Sequence, residues 1–137
     1  MRREMLESFA GFDDFLVYLG IALAYLAVFV ALYIRITPYR EMQLIREGNM
    51  AASFSLSGAI LGFIVPLASA IQHSVNLIDM AIWGLVAMLV QIAAFVAVKL
   101  AIPSINRDIP DNKGAQGFFL GSLSLGVGLL SAACMSF

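Results

Sequence analysis

Ala51-Ala52-Ser53-Phe54-Ser55-Leu56-Ser57-Gly58-Ala59-Ile60-Leu61-Gly62-Phe63-Ile64-Val65-Pro66-Leu67-Ala68-Ser69-Ala70-Ile71 runs for 21 residues without a charge. A bilayer core of about 30 Å takes roughly 20 apolar residues as a helix, so this stretch reads as a membrane span. Three others match it: Phe15–Ile34 with 20 residues, Met80–Val98 with 19 and Gly114–Phe137 with 24. The eight Lys and Arg and nine Asp and Glu of the 137-residue chain all lie outside these runs. Composition agrees, with 61% hydrophobic residues, 12% charged and a mean hydropathy of +0.93. A soluble domain has roughly 45–50% and about 25%, and a chain this small has no core large enough to hide the excess. Four strong signals are unlike the weak alternation of an outer-membrane barrel. The expected fold is an all-α integral membrane domain over 1–137 with four transmembrane helices. The net charge of −1 lacks the basic face of a nucleic-acid binder. The single cysteine, Cys134, excludes an internal disulfide framework.

Phe15–Ile34 is longer than a signal-peptide h-region and ends in Arg35-Ile36-Thr37-Pro38, which has no small-residue cleavage pattern. It is expected to stay in the mature protein. Basic residues then orient the spans. Arg35, Arg40 and Arg46 follow the first helix and Lys99, Arg107 and Lys113 the third, against Arg2 and Arg3 at the N-terminus. That balance puts the longer loops in the cytoplasm and both termini outside.

Sliding the second span onto the fourth by 64 positions matches Ala51 with Ala115, Phe54 with Phe118 and Leu56 with Leu120. Leu61 with Leu125, Gly62 with Gly126 and Ala68 with Ala132 complete the set, and one more residue of offset aligns Pro38 with Pro103 and Asp14 with Asp79. The chain therefore reads as a parallel tandem repeat of two-helix units, about 14–76 and 77–137.

Ser53, Ser57, Gly58 and Gly62 set small residues four apart, as do Gly117 and Gly121, and Ser124, Gly128 and Ala132. In lipid such faces drive close helix packing. The plain expectation is packing against the first and third helices. The sharper one is that at least one stripe meets a neighbouring subunit in a homo-oligomer. Gln91, deep in the third span, needs a partner across a helix interface, and Pro66 interrupts the second helix. Asp14 and Asp79 are expected to open their helices, His73 to be a solvated loop residue, and Cys134 to fill apolar space. No span has a central charge of the kind proton relays use. With no nucleophile–base pair, metal set or phosphate loop in view, no catalytic, cofactor or metal residue is assigned. The loops Thr37–Asn49 and Ile102–Lys113 are the expected partner surfaces, through Arg40, Arg46, Asn49, Arg107 and Lys113. Met42, Leu44 and Ile45 suggest an amphipathic turn, whereas Pro103 and Pro110 discourage a long helix.

Ile36-Thr37-Pro38, Met42-Gln43-Leu44-Ile45, Asn49-Met50-Ala51-Ala52-Ser53 and Ser57-Gly58 form a pattern. Gly62 with Pro66-Leu67, Trp83-Gly84, Val90-Gln91, Gly117, Gly121 and Ala132-Ala133-Cys134-Met135-Ser136 continue it. Together they resemble the domain-of-unknown-function family three-fifty, small bacterial inner-membrane proteins built from paired membrane helices. In the second copy Lys113 stands where the family pattern expects Asn. The resemblance implies an inner-membrane protein without an assigned activity, set near phage-shock-type membrane-coating proteins and polyamine-related enzymes. The function expected is a non-enzymatic oligomeric platform for a cytosolic membrane-stress or remodelling partner of that type. The alternative is a small oligomeric channel or transporter for ions or polyamines, drawn from the Ser-rich helices, Pro66 and Gln91.

Overall fold

The computed structural model describes residues 2–37 and 40–135, and every regular element among them is a helix. Pro38 and Ser136, used in the sequence comparison above, lie outside the described residues. Four helices are long and apolar enough to cross a membrane: α1 (Arg2–Ile36), α3 (Met50–His73), α4 (Leu77–Ala101) and α6 (Gly114–Met135). Two short helices, α2 (Glu41–Arg46) and α5 (Ile105–Asp108), occupy the longer connections and share one end of the bundle, called here the loop end.

The centre of the fold is the pairing of α3 with α6. Along it Ala51 meets Gly117, Gly58 meets Gly121 and Gly62 meets Gly128, so the two helices run parallel. A Cβ on Gly58 would overlap the backbone of Gly121, and one on Gly128 the backbone of Gly62. Only glycine permits that approach, and close backbone contact is what holds helices together where lipid removes the hydrophobic drive. The stripes therefore pack on each other within one chain. The expectation of packing against the first and third helices is thus corrected in its main partner: the glycines chiefly meet each other, and of the other two spans the third, α4, reaches Gly62 through Gln91. Ser57 is exposed and Ser53 half-buried, so the serines flank the contact. Gly126, the sequence match of Gly62, has open space around it.

Helix α4 packs against both members of this pair, and α1 packs against α3 and α4. Phe29 and Tyr33 anchor α1: Phe29 stacks on Phe63 at 4.7 Å, and Tyr33 meets Phe95 edge-on at 5.2 Å. One turn earlier, the Tyr25 hydroxyl donates to the Ala81 carbonyl at 2.6 Å. Phe15, Leu16, Val17 and Leu23 stay exposed, as a lipid-facing helix requires. At 35 residues α1 is about 52 Å long at 1.5 Å per residue, well beyond the bilayer core. Asp14 accordingly lies inside α1 rather than at its start, because Arg2–Asp14 contains good helix formers and no proline. Helix α3 continues unbroken through Pro66. Cys134 is exposed beside Trp83 and Met135, not a buried filler.

Candidate functional site

Gln91 is buried where α4 meets the α3–α6 seam. Its side-chain Nε2 donates to the Gly62 carbonyl at 2.8 Å and the Ser124 carbonyl at 2.9 Å. The Nε2 of the residue that would have lined a path thus stitches three helices together, while its Oε1 is buried without a hydrogen-bond partner among the described residues.

The opposite end closes by capping. The Asn76 side chain accepts from Asp79 N–H at 2.8 Å, and the Asp79 carboxylate accepts from Val75 N–H at 3.2 Å. The first bond satisfies a donor that the start of α4 leaves free, and the second ties down the residue before the cap. Asp79 caps as expected. His73 is the last residue of α3, with its ring Nδ1 2.9 Å from the Ser69 carbonyl.

The loop end carries the distinctive geometry. Asn49 caps α3 by accepting from Ala52 N–H at 2.8 Å, and its Nδ2 crosses to the Ile109 and Pro110 carbonyls at 2.9 and 3.2 Å. Asn112 reaches back from the second loop, its Oδ1 accepting from Met50 N–H at 2.8 Å and Ala51 N–H at 3.1 Å. Its φ of 58° is left-handed, a conformation that asparagine tolerates better than most residues. The two loops therefore cap the same helix start and hold each other. Asn49 is buried in this lock and offers no partner contact, which corrects the expectation placed on it. Arg40, Arg46, Arg107 and Lys113 remain exposed.

Each loop also buries one carboxylate, and the two differ. Asp108 accepts from the Ser104 hydroxyl at 3.0 Å and pairs with the Lys113 ammonium at 3.3 Å. Glu41 is 0% exposed, yet neither of its oxygens has a hydrogen-bond partner among the described residues. The neighbouring Thr37 hydroxyl gives its hydrogen to the Ile34 carbonyl at 3.0 Å. Burial pushes the Glu41 carboxyl from 4.5 up to about 7; the Thr37 hydroxyl would oppose that rise only when its hydrogen turns from the Ile34 carbonyl to the carboxylate. Glu41 lines a cavity of about 380 Å³ with Ile34, Thr37, Arg40, Met42, Gln43 and Arg46. Leu44 and Ile45 pack α2 on the core while Met42 is exposed, so the three apolar residues expected to form one amphipathic face are divided between two. Sequence reasoning found the arginines but not Glu41 or Asn112. A single acid in a mixed-charge segment has no spacing signal, and Asn112 sits one position before the expected Asn.

Comparison with known proteins agrees with the sequence resemblance. The chain matches the family described as Domain of Unknown Function (DUF350) over residues 5–135, and it belongs to that family. It is 37% identical over 132 residues to the UPF0719 inner membrane protein YjfL of Escherichia coli (strain K12), covering 96% of this chain and 98% of that protein. It is 26% identical over 122 residues to the UPF0719 transmembrane protein YshE of Bacillus subtilis (strain 168), covering 85% and 88%. No solved structure matches the chain significantly.

Proposed function

We propose that this DUF350 membrane protein is a non-enzymatic platform: a homo-oligomer in the bacterial inner membrane whose loop end faces the cytoplasm and holds a cytosolic membrane-stress or remodelling partner. The observation that carries this is the mutual lock between the loops. Asn49 and Asn112 tie the second loop to the start of α3, and the Asn49 N–H donates back to the Leu44 carbonyl of α2, so the loops form one ordered face. Burial of Ile105 and Ile109 beneath it fixes that face to the bundle. A pre-ordered surface binds without paying loop-ordering entropy, and Arg40, Arg46 and Arg107 supply it with positive charge. The phage-shock type of partner comes from the family resemblance. The tandem-repeat reading belongs here too, supported by the parallel α3 and α6 and by the contact of Phe54 with Phe118 at 5.7 Å. With the glycine stripes used inside the chain, self-association falls to exposed faces such as Phe119, Leu123 and Leu130 of α6.

The test is crosslinking and capture of the full-length protein from native membranes, comparing wild type with the triple change Arg40→Ala, Arg46→Ala and Arg107→Ala. The platform reading expects one cytosolic protein crosslinked at the loop end and lost in the variant. Recovery of the same proteins with both forms, or of none, refutes it. Flux of ions or polyamines through reconstituted wild-type protein would instead favour the channel alternative, which Gln91 no longer supports within one protomer.

A further inference from the structure

The α3–α6 pair is covered on one side and bare on the other. Helix α4 closes the covered side through Gln91, and there Phe63 stacks on Phe29 of α1. The bare side presents Phe54, Ser57 and Leu61 of α3, three and four residues apart, with Phe118, Ser122 and Leu129 of α6, four and seven apart. Those spacings keep each set on one helix face. All six are exposed, and Phe54 meets Phe118 edge-on across the seam at 5.7 Å, so the two faces form a single surface. Ala51–Ile71 and Gly114–Phe137 carry no charge, so two such surfaces do not repel. Apolar side chains facing lipid need no partner, but two of these residues are hydroxyls. On the same helices Ser55 donates to the Ala52 carbonyl at 3.1 Å and Ser69 to the Ala132 carbonyl at 3.3 Å. Ser57 and Ser122 donate to nothing among the described residues, and hydrocarbon offers no acceptor.

Depth identifies the acceptor. Gly58 meets Gly121 and Phe54 meets Phe118, so Ser57 and Ser122 lie at the same depth to within about one residue's rise, roughly 1.5 Å. Copies inserted with one topology are related by a two-fold axis along the membrane normal, which leaves depth unchanged. With that axis in front of the seam, α3 stands against the partner's α6. Ser57 then faces the partner's Ser122, and the partner's Ser57 faces Ser122, so the surface is complementary to itself. The six residues expose on the order of 500 Å² per copy, and a pair buries about 1,000 Å², the lower bound of a specific interface. We propose that a second copy of the chain covers this surface, with Ser57 and Ser122 hydrogen-bonded across it twice. The proposal rests on the homo-oligomer reading above and assigns it to one face.

Cys134→Ser removes the single native cysteine and clears the background for crosslinking. A tagged full-length chain carrying Ser57→Cys is co-expressed with a differently tagged chain carrying Ser122→Cys, and native membranes are oxidised with copper phenanthroline. A disulfide-linked heterodimer should form. Leu123→Cys, exposed on another face of α6, should give no self-linked dimer. Ser57→Ala, at an exposed position, should weaken dimerisation about tenfold, because two symmetry-related bonds are lost together. That loss is read as energy transfer between labelled copies diluted in lipid vesicles, and helical circular dichroism confirms that each variant is folded. Absence of the heterodimer, or dimerisation unchanged in Ser57→Ala, overturns this face. A linked dimer of Leu123→Cys chains beside either result overturns it too, but keeps the homo-oligomer reading and moves it elsewhere. Wild type that stays monomeric as the vesicles are enriched in protein sinks both. No cytosolic protein enters the experiment, so its outcome is independent of the platform's partner.

Discussion

Replacing Glu41 by Gln should make the protein more stable at neutral pH, the reverse of most buried substitutions. The carboxyl titrates near 7 in the fold and 4.5 when exposed, so the native state holds this proton more tightly than the unfolded chain. Stability is then greatest below about pH 4.5, falls as pH rises through about 7, and levels off above. The gap between 4.5 and about 7, at roughly 1.4 kcal/mol for each pH unit, is on the order of 3 kcal/mol. The Gln variant keeps the side-chain volume and has nothing to titrate, so its stability should lack this slope. Near pH 4 the two proteins should unfold alike; at pH 8 the variant should lead by up to about 3 kcal/mol, equivalent to several degrees in Tm. The assay is thermal unfolding in detergent, followed by helical circular dichroism from pH 4 to 8.5. A wild-type Tm flat across that range, or a variant with the same slope, would refute the assignment of an unpaired buried carboxyl.

The glycine seam makes a second prediction: Gly62→Leu must force α3 from Gly128 and Ser124, costing at least about 1–3 kcal/mol, with no change in the oligomer size seen by light scattering for whatever fraction stays folded. Gln91→Leu removes two interhelical hydrogen bonds and should cost about 1–2 kcal/mol in detergent unfolding, because the Gly62 and Ser124 carbonyls still serve their own helices. Asn112→Ala strips the second cap from α3 and should cost about 1 kcal/mol. Hydrogen exchange at Met50 and Ala51 should quicken in that variant while exchange at Asp79, capped at the far end, stays unchanged.

The spans were legible because burial in lipid leaves a local mark. Ala51–Ile71 and Met80–Val98 fall inside helices Met50–His73 and Leu77–Ala101, missing only polar caps and interfacial turns. The start of α1 escaped that mark, since hydropathy detects lipid rather than helix, and Arg, Glu and Met propagate a helix in water as well. The small-residue stripes announced that a face would be packed but not by what. Four-residue spacing fixes a side of one helix, whereas the partner depends on how α4 and Gln91 close the third side of the seam. The loop end was least legible. Gly48, at φ +84°, lets the chain turn from α2 into α3, bringing Glu41 under cover although its neighbours Arg40 and Met42 are exposed. The exposed Lys113 covers Asp108 from five residues away, but Glu41 has only Thr37, whose hydroxyl hydrogen is already committed. Two loops that look equivalent as mixed-charge connectors thus differ by one ammonium. That difference leaves the first loop with an unmet buried carboxylate, and makes it the part of the bundle whose stability should answer to pH.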